Sequence, residues 1–413
     1  MTEPLNIGVA GTGFIGRGLV HALMHCTDMR VAAILTRRPV NSMGDFPRRE
    51  LVTNSVDELI EKSDLIVEST GDVIHATEIV ERALGAGLPV VTMNAEFHVT
   101  TGSYFVNRGL LTEAHGDQPG ALAALHEEAT GFGFKPVVYG NRKGFFNADP
   151  GEEEMRKWSV KQGISMEQVT AATDGTKIHI EQALVANGLG ADILVDGLAG
   201  PTCETLHEGG VMLAERAAKH GRAIADYVVA AKAPAGVFLT CTHEAVQAAA
   251  LEYFKLGTGP YYTLVHNYHL CHLEIPKTIR RVRDAMLLHG KNAAQRGAVL
   301  LNNSAKPRIG VRAVAKREIK KGEKIARGIG SFDLRGQAFR MDGPAGRMKE
   351  EGFADHVPIG LISEAVMTRN VERGQVICET DVDLPESSAL NAWRRIQVGI
   401  FSGGASAAGA SRR

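Results

Sequence analysis

The stretch that most limits how this chain can fold is a glycine loop near its start. Residues 7–18 form a short apolar run that ends in glycines at positions 11, 13 and 16 and opens directly into a helical pattern. This is the G-x-G-x-x-G spacing in its expected setting, between a strand and a helix. The loop predicts a dinucleotide site at the helix N-terminus, although a glycine-rich turn without a ligand has the same pattern. The predicted contacts are Gly11, Thr12, Gly13, Phe14, Ile15 and Gly16.

The end of the second predicted strand indicates which dinucleotide binds. Residues 31–35 are apolar, and Thr36, Arg37 and Arg38 follow them. At this position an acid favours a free ribose 2′-hydroxyl, whereas an arginine accommodates a 2′-phosphate. Two arginines and no acid therefore predict NADPH, with an exposed basic loop as the alternative.

Small polar residues lie at the carboxyl end of the strand predicted over residues 64–71 and directly after the strand predicted over residues 89–93. Ligands of open parallel sheets bind at the carboxyl ends of the strands. We therefore expect the nicotinamide end of the cofactor to lie against these strand ends. The predicted contacts are Ser69, Thr70, Gly71, Asn94 and Ala95.

The alternation of strands and helices predicts an α/β fold that begins with a Rossmann domain, a doubly wound parallel sheet with residues 136–139 as its last strand. With about 150 residues per domain, 413 residues predict further domains. The predicted divisions are an NADPH-binding domain over 1–148, a central α+β domain over 149–306, a small β-rich module over 307–390 and a disordered tail over 402–413.

Composition limits the partners and the compartment. The 46 basic and 47 acidic side chains balance, so overall charge favours neither nucleic acid nor a membrane surface. No uncharged apolar run reaches the roughly 18 residues that span a bilayer. The five cysteines lack a C-x-x-C pair, which is typical of reduced thiols. We expect a cytoplasmic protein that binds a small molecule, with neither nucleic acid nor membrane as a partner.

One predicted helix carries residues suited to acid–base chemistry. Asp174, Lys177 and Glu181 are three and four residues apart, so a helix would place them on one face. Two carboxylates and an ammonium can bind a polar substrate and move a proton to or from a reacting oxygen. An exposed ion pair without a catalytic role is the alternative.

A second dense group contains three histidines, a cysteine and a glutamate, at positions 266, 269, 271, 272 and 274. These residue types bind zinc, but no second cluster shows the usual paired spacing. We interpret His269 as a residue that lines a polar pocket.

Several motifs occur together in an order that resembles a known family. They are residues 68–71, Asn94-Ala95-Glu96, residues 116–120, Gly140-Asn141-Arg142-Lys143, Asp174-Gly175-Thr176-Lys177, Glu181, Ala186-Asn187, residues 268–270 and residues 273–276. Together with the glycine loop, they resemble the homoserine-dehydrogenase-like oxidoreductases with a C-terminal SAF (antifreeze-like) domain, which include the deoxyxylulose-phosphate reductoisomerase-like enzymes of isoprenoid synthesis. The resemblance covers nearly the whole chain.

The resemblance implies a dimeric NADPH-dependent enzyme whose central domain provides both catalysis and dimerisation. In the reductoisomerase-like members the substrate is 1-deoxy-D-xylulose 5-phosphate, and a divalent cation such as Mg²⁺ or Mn²⁺ assists. The motifs do not decide which side chains would bind that cation. The positions that match family motifs, and that become candidate catalytic residues beside His269, are Glu96, Lys143, Asp174, Lys177, Glu181 and Asn187.

Our hypothesis is that Lys177 protonates or polarises the developing alkoxide of the substrate. Lys143 would hold an anionic group of the same substrate. Asp174, Glu181 and Glu96 would orient Lys177 or bind the cation. The chain departs from the family pattern at His98, where the family has an acid.

Two other functions stay open. One is a homoserine-dehydrogenase-like reaction on an amino or hydroxy acid without isomerisation, although Ala95 stands where those enzymes usually have lysine. The other is a binding protein that senses NADPH without turnover.

Overall fold

The computed structural model describes residues 3–341 and 356–405. The strands within these residues are β1 (Leu5–Ala10), β2 (Met29–Leu35), β3 (Val52–Thr53), β4 (Leu65–Glu68), β5 (Val90–Thr92), β6 (Leu111–Glu113), β7 (Lys135–Lys143), β8 (Ile224–Val229), β9 (Val237–Thr242), β10 (Tyr262–His266), β11 (Ile309–Ala315), β12 (Lys324–Ile325), β13 (Leu334–Arg340), β14 (Ala365–Met367) and β15 (Val382–Asp383).

The α-helices alternate with these strands in the first part of the chain and are longer in the middle. They are α1 (Phe14–Leu23), α2 (Val56–Glu61), α3 (Val73–Gly85), α4 (Ala95–Thr100), α5 (Gly102–Phe105), α6 (Gln118–Gly131), α7 (Glu152–Gln162), α8 (Met166–Thr173), α9 (Thr176–Gly188), α10 (Leu206–His220), α11 (Ala248–Tyr253), α12 (Ile275–His289) and α13 (Ser388–Ala405). No described helix is both long enough and apolar enough to cross a membrane.

The chain divides into two compact units, and the first is discontinuous in sequence. It consists of the described parts of Met1–Gly120 and His269–Ala305. Its sheet has the order β3-β2-β1-β4-β5-β6, and each neighbouring pair is parallel. The strand order reverses between β1 and β4, the point at which doubly wound sheets bind dinucleotides. The predicted α/β fold with a Rossmann sheet is therefore confirmed.

Both faces of this sheet are covered, which explains why its strands are almost continuously apolar. On one face Ile7 and Val9 of β1 pack with residues of α1 and with Ile275, Ile279 and Val282 of α12. On the other face α3 packs with residues of α4 and α5. The helix α12 thus completes the core of the first unit although it follows the second sheet in sequence.

The second unit consists of the described parts of Ala121–Tyr268 and Lys306–Arg413. Its main sheet has the order β10-β9-β7-β8, in which β7 pairs parallel to β8 and antiparallel to β9. The helix α10 packs on this sheet through Leu213, Ala214 and Ala217. The later strands form an antiparallel pair, β11 with β13, and a small antiparallel sheet of β12, β14 and β15.

One predicted strand pairs with different partners from those expected. Residues 136–139 do form a strand, but it extends to Lys143 and lies in the second sheet instead of the Rossmann sheet. The apolar pattern predicted the extended backbone correctly, whereas the pairing depends on β8 and β9, which come much later in the chain. The motif at residues 140–143 therefore forms the carboxyl end of β7.

The domain boundaries from the sequence differ from this division. The predicted first domain, 1–148, includes β7 and lacks residues 269–305, which the structure joins to the first unit. The predicted tail, 402–413, begins inside α13, so residues 402–405 are helical, and residues 406–413 lie outside the described residues.

Candidate active site

The glycine loop between β1 and α1 leaves an open face at its centre. Gly11 has a φ of +113°, and a Cβ there would lie 2.7 Å from the Ser69 carbonyl oxygen. A Cβ on Gly16 would overlap the Gly11 carbonyl oxygen, so both positions need glycine for packing. A Cβ on Gly13 would meet no atom within 4 Å. This open face, before a helix that has no acid in its first turn, fits the close approach of a pyrophosphate.

The turn after β2 is fixed by side-chain hydrogen bonds. The Thr12 and Thr36 hydroxyls lie 2.8 Å apart, and the Asn54 amide donates to the carbonyls of Thr36 at 2.6 Å and Arg38 at 2.9 Å. The Arg37 guanidinium lies 2.9 Å from a carboxylate oxygen of Asp72 and remains 62% exposed. Arg37 stands where the sequence predicts a contact with the ribose 2′-phosphate, and Asp72 is its carboxylate partner in this structure.

A buried carboxylate that was not selected from the sequence as a site residue lies at the carboxyl end of β4. Glu68, the last residue of β4, is completely buried. It accepts hydrogen bonds from the Thr70 amide at 2.7 Å, the Thr70 hydroxyl at 2.6 Å and the Thr92 hydroxyl at 2.8 Å. Burial raises the pKa of Glu68, and these donors oppose that effect. Its signal in the sequence was a lone acid that ends an apolar strand.

The predicted contacts Asn94 and Ala95 lie at the start of α4 and are almost completely buried. The Asn94 side chain accepts a hydrogen bond from the Phe97 amide at 3.0 Å and donates to Glu68 at 3.3 Å. It therefore caps α4 and joins β4 to β5. Thr70 and Gly71, which are only partly buried or exposed, present more surface to a cofactor.

A histidine–glutamate pair is buried beside this strand end. His98 Nδ1 lies 2.6 Å from Glu113 Oε2, and its Nε2 lies 2.7 Å from the Asn302 side-chain oxygen. Burial raises the pKa of Glu113 to about 7, while the His98 contact opposes that shift. Glu96, on the first turn of α4, is half-buried and adds to the negative potential at Glu113. His98, the departure from the family pattern, thus has a carboxylate partner of its own.

Four polar residues lie close together in the second unit, two at the carboxyl end of β7 and two on α9. They are Asn141, Lys143, Lys177 and Glu181. Lys177 Nζ lies 3.5 Å from Glu181 Oε1, and the Asn141 amide donates to Glu181 Oε2 at 2.8 Å. Glu181 is 2% exposed, whereas the Lys177 side chain is 38% exposed. A buried carboxylate held by an amide therefore orients an ammonium that reaches solvent, which is a suitable arrangement for proton transfer.

Lys143 is the fourth member of this group. Its ammonium donates to the Ala172 carbonyl at 2.6 Å. Burial lowers the pKa of Lys143; the nearby Glu181 carboxylate raises it, Lys177 lowers it, and the Asp174 carboxylate raises it. An amine whose charge is only partly balanced by its surroundings gains from a bound anion.

Asp174 has a different environment from the one expected. It precedes α9 and is completely buried, with Lys316 Nζ 2.6 Å from its Oδ2. Lys316 follows β11 and was not selected from the sequence, because no local pattern relates it to Asp174. The pair is internal to the protein, so Asp174 does not share the exposed face of Lys177.

The remaining candidates have separate positions. Asn187, near the end of α9, bonds to the backbone of β11: its amide donates to the Ile309 carbonyl at 2.9 Å, and its oxygen accepts from the Ile309 amide at 3.0 Å. Asn187 therefore joins a helix to a strand. His269 is half-buried and, like Glu96, belongs to the first unit.

A further buried residue on α9, His179, was not predicted. Burial, together with the positive charges of Arg335 and Lys143, lowers its pKa to about 3. His179 is therefore neutral at physiological pH.

The residues present do not fit a divalent cation. Within residues 3–341 and 356–405, no three His, Cys, Asp or Glu side chains are grouped so that they could hold a metal ion. Asp174 already faces the Lys316 ammonium, and Glu181 faces Asn141 and Lys177. The ammonium groups of Lys316 and Lys177 therefore already balance the charges of these two carboxylates.

Two family models match different parts of the chain. Residues 11–105 match the model described as homoserine dehydrogenase, NAD binding domain. Residues 116–275 match the model described as oxidoreductase DRL, catalytic domain. The chain therefore combines a region similar to a nicotinamide-dinucleotide-binding domain with a region similar to an oxidoreductase catalytic domain.

Solved structures with a similar fold include two homoserine dehydrogenases. The enzyme from Thiobacillus denitrificans is 18% identical over 45% of this chain and 48% of its own, with a TM-score of 0.35. The enzyme from S. aureus is 15% identical over 45% of this chain and 52% of its own, with a TM-score of 0.30. The chain thus spans about half the length of each.

A third similar structure is the UDP-N-acetylglucosamine 3-dehydrogenase GnnA from Acidithiobacillus ferrooxidans. It is 13% identical over 72% of this chain and 95% of its own, with a TM-score of 0.41. No curated protein matches the chain in a sequence comparison.

Proposed function

We propose that this chain is an NADPH-dependent oxidoreductase that reduces a carbonyl group of a small, polyhydroxylated and phosphorylated substrate. The observation that supports it most is the group formed by Lys143, Lys177, Glu181 and Asn141. It combines a partly exposed ammonium, a buried carboxylate that orients it, and a second amine suited to an anion. The group lies within the segment that matches an oxidoreductase catalytic domain.

The preference for NADPH is supported by the first unit. The open face of Gly13 allows a pyrophosphate to approach the start of α1. Arg37 and Arg38 follow β2 with no acid among them, which suits a 2′-phosphate. When bound, the cofactor supplies the hydride that reduces the carbonyl carbon.

The residues of the second unit supply the proton and the binding of charge. Lys177 donates a proton to the carbonyl oxygen, so that the alkoxide becomes a hydroxyl. Glu181, fixed by Asn141, keeps the Lys177 ammonium in one place. Lys143 binds the phosphate, and the bound anion raises the pKa of this lysine towards its ordinary value.

A homoserine-dehydrogenase-like reaction on an amino or hydroxy acid, without isomerisation, is the second candidate. It is favoured by the match of residues 11–105 to a homoserine dehydrogenase domain. The homodimer, the cytoplasmic location, the SAF domain and the role in isoprenoid synthesis expected from the sequence stay predictions.

A cofactor-oxidation assay tests these alternatives. Purified protein is incubated with NADPH and, in separate reactions, either a sugar phosphate or aspartate semialdehyde. For the reverse reaction it is incubated with NADP⁺ and either homoserine or an aldonate. Turnover with a sugar phosphate alone supports the proposal, and turnover with homoserine supports the second candidate. Binding of NADPH without turnover on any substrate would indicate a sensor.

Two variants locate the reaction. Lys177→Ala is expected to lower kcat by about 10²-fold or more while NADPH binding is retained, because a general acid contributes on that order. Lys157→Ala, at an exposed ion pair on α7, is the matched control and is expected to leave kcat unchanged. Retention of kcat in a folded Lys177→Ala variant would remove Lys177 from the chemistry.

A further inference from the structure

We propose that Lys316 is a positioning residue for Lys177 and that Asp174 acts as the counterion of Lys316 instead of as an acid, a base or a cation ligand. The effect on turnover rests on the proposed function of Lys177. The contact itself is independent of that function. Through Lys316, the strands β11 and β13 would then help to position Lys177.

The buried pair uses both oxygens of Asp174. Oδ2 lies 2.6 Å from Lys316 Nζ, and Oδ1 accepts a hydrogen bond from the Thr176 amide at 2.8 Å. The two side chains are 0% and 2% exposed. Lys316 Nζ also donates to the Ser331 carbonyl at 2.7 Å. A carboxylate enclosed in this way does not reach a substrate, which a general acid or base must do.

The same contacts determine where α9 begins. Gly175, the residue between Asp174 and the helix, has a φ of +87°, and a Cβ there would press against Phe146. The Thr176 amide is held by Asp174, and the Thr176 hydroxyl accepts a hydrogen bond from the Gly336 amide at 2.8 Å. Lys177 is the next residue. The first turn of α9, and with it the direction of the Lys177 side chain, is therefore fixed by groups from β13 and from the end of β11.

The energetics of buried ion pairs provide a discriminating test. Removing one partner leaves an uncompensated buried charge, which is strongly destabilising, whereas neutralising both is tolerated far better. If Asp174 serves only to balance Lys316, the double variant recovers what each single variant loses. If Asp174 contacts the substrate or a cation, the double variant stays as impaired as Asp174→Asn.

The first arm of the experiment needs no substrate. Urea unfolding and amide hydrogen exchange are measured for Lys316→Met, Asp174→Asn and the double variant Lys316→Met/Asp174→Asn. We expect each single variant to lower the urea midpoint and to speed exchange across residues 174–181. The double variant is expected to recover most of both losses. Additive losses in the double variant would contradict the coupling, whatever reaction the protein catalyses.

The second arm measures kcat, KM and the Kd for NADPH with the substrate found by the oxidation assay. Single variants that fold are expected to lose kcat on the order of 100-fold, the effect of a misplaced catalytic group, with NADPH binding unchanged. The double variant is expected to regain at least about tenfold of that loss. Lys316→Arg, which keeps the charge, is expected to retain more activity than Lys316→Met.

The control is Lys320→Met, which breaks an exposed ion pair with Glu318 in the same part of the chain and is expected to change neither stability nor kcat. A folded double variant that recovers its stability but not its kcat would overturn the assignment of Asp174 as the counterion of Lys316 alone, because the carboxylate would then act on the substrate or on Lys143. If no substrate is turned over by the wild-type protein, the proposed function fails, and the coupling between Lys316 and Asp174 is still decided by unfolding and exchange.

Discussion

At the scale of single residues, Glu113 has a displaced pKa in its buried contact with His98. Burial raises the pKa of Glu113 from 4.5 to about 7, although His98 lies 2.6 Å away. The nearby carboxylates of Glu96 and Asp117 raise that pKa further. A proton held by Glu113 in the folded protein therefore contributes to the stability of the first unit.

The sign of this contribution follows from proton counts. Between pH 4.5 and about 7, the unfolded chain has released the Glu113 proton while the folded protein keeps it. The unfolded state then binds fewer protons, so this group lowers the free energy of unfolding as the pH rises. Its stabilisation is complete below pH 4.5 and is lost as the pH passes through about 7.

We predict that Glu113→Gln weakens this pH dependence. Gln keeps a polar partner for His98 but does not titrate, so the free energy of unfolding should change less between about pH 5 and about pH 8 than in the wild-type protein. Urea unfolding at the two pH values measures the difference. Glu81→Gln, at an exposed position on α3, is the control and should behave like the wild type. The same pH dependence in Glu113→Gln and in the wild type would show that the Glu113 proton makes no such contribution.

At this scale the sequence predicted a contact within one helix and missed a contact between residues far apart in the chain. Lys177 and Glu181 lie together because a helix enforces their spacing. Lys316 and Asp174, by contrast, are joined only by the packing of strands onto α9, and no local pattern encodes that contact. Asp174 matched a family motif, yet the residue that decides its chemistry lies far away in sequence.

At the scale of elements, Asn187 connects α9 to β11 with several hydrogen bonds. Its oxygen accepts from the amides of Arg308 and Ile309, at 2.9 Å and 3.0 Å, and its amide donates to the Ile309 carbonyl at 2.9 Å. All three hydrogen bonds are partly buried. The side chain therefore acts as a link between two elements.

We predict that Asn187→Ala lowers stability much more than it lowers turnover. Loss of these bonds leaves backbone groups unsatisfied, at a cost of about 1–3 kcal/mol each in the buried limit. Because Asn187 lies near the end of α9 and Lys177 near its beginning, the acid should keep its position. Urea unfolding and kcat at a temperature where the variant is folded measure the two effects. A loss of kcat with unchanged stability would instead favour the catalytic role expected from the family motif.

The strand β7 shows why elements were easier to predict than their pairing. Its residues 136–139 have the apolar pattern of a strand, and the structure has a strand there. Whether such a strand joins one sheet or another depends on which neighbours are available in three dimensions. Here β8 lies parallel and β9 antiparallel to β7. Four helices, α7 to α10, separate β7 from both strands in the sequence. The Rossmann strands were predictable because consecutive βαβ units pair with near neighbours in sequence.

At the scale of the whole molecule, the sequence did not predict that residues 269–305 belong to the first unit. The helix α12 places Ile275, Ile279 and Val282 in the core beside β1 and α1. The Leu301 carbonyl accepts a hydrogen bond from the Glu113 amide at 2.8 Å. Residues 269–305 thus support both a face and an edge of the nucleotide-binding sheet. A linear division at residue 148 removes that support.

This organisation predicts which fragment binds the cofactor. A fragment of residues 1–148 exposes the apolar surface that α12 covers, so we expect it to aggregate or to unfold without a cooperative transition. Residues 1–120 joined to 269–305 by a short Gly/Ser linker should fold, because Gly116 and the Cys271 carbonyl are already in close contact. NADPH at 100 times its Kd should then raise the free energy of unfolding by about 2.7 kcal/mol.

The same joined fragment with Gly13→Val should stay folded and lose this stabilisation, since the added side chain fills the open face of the glycine loop. A soluble 1–148 fragment that binds NADPH as tightly as the full chain would show that α12 is dispensable, and the nucleotide site would then be a property of the contiguous strands alone.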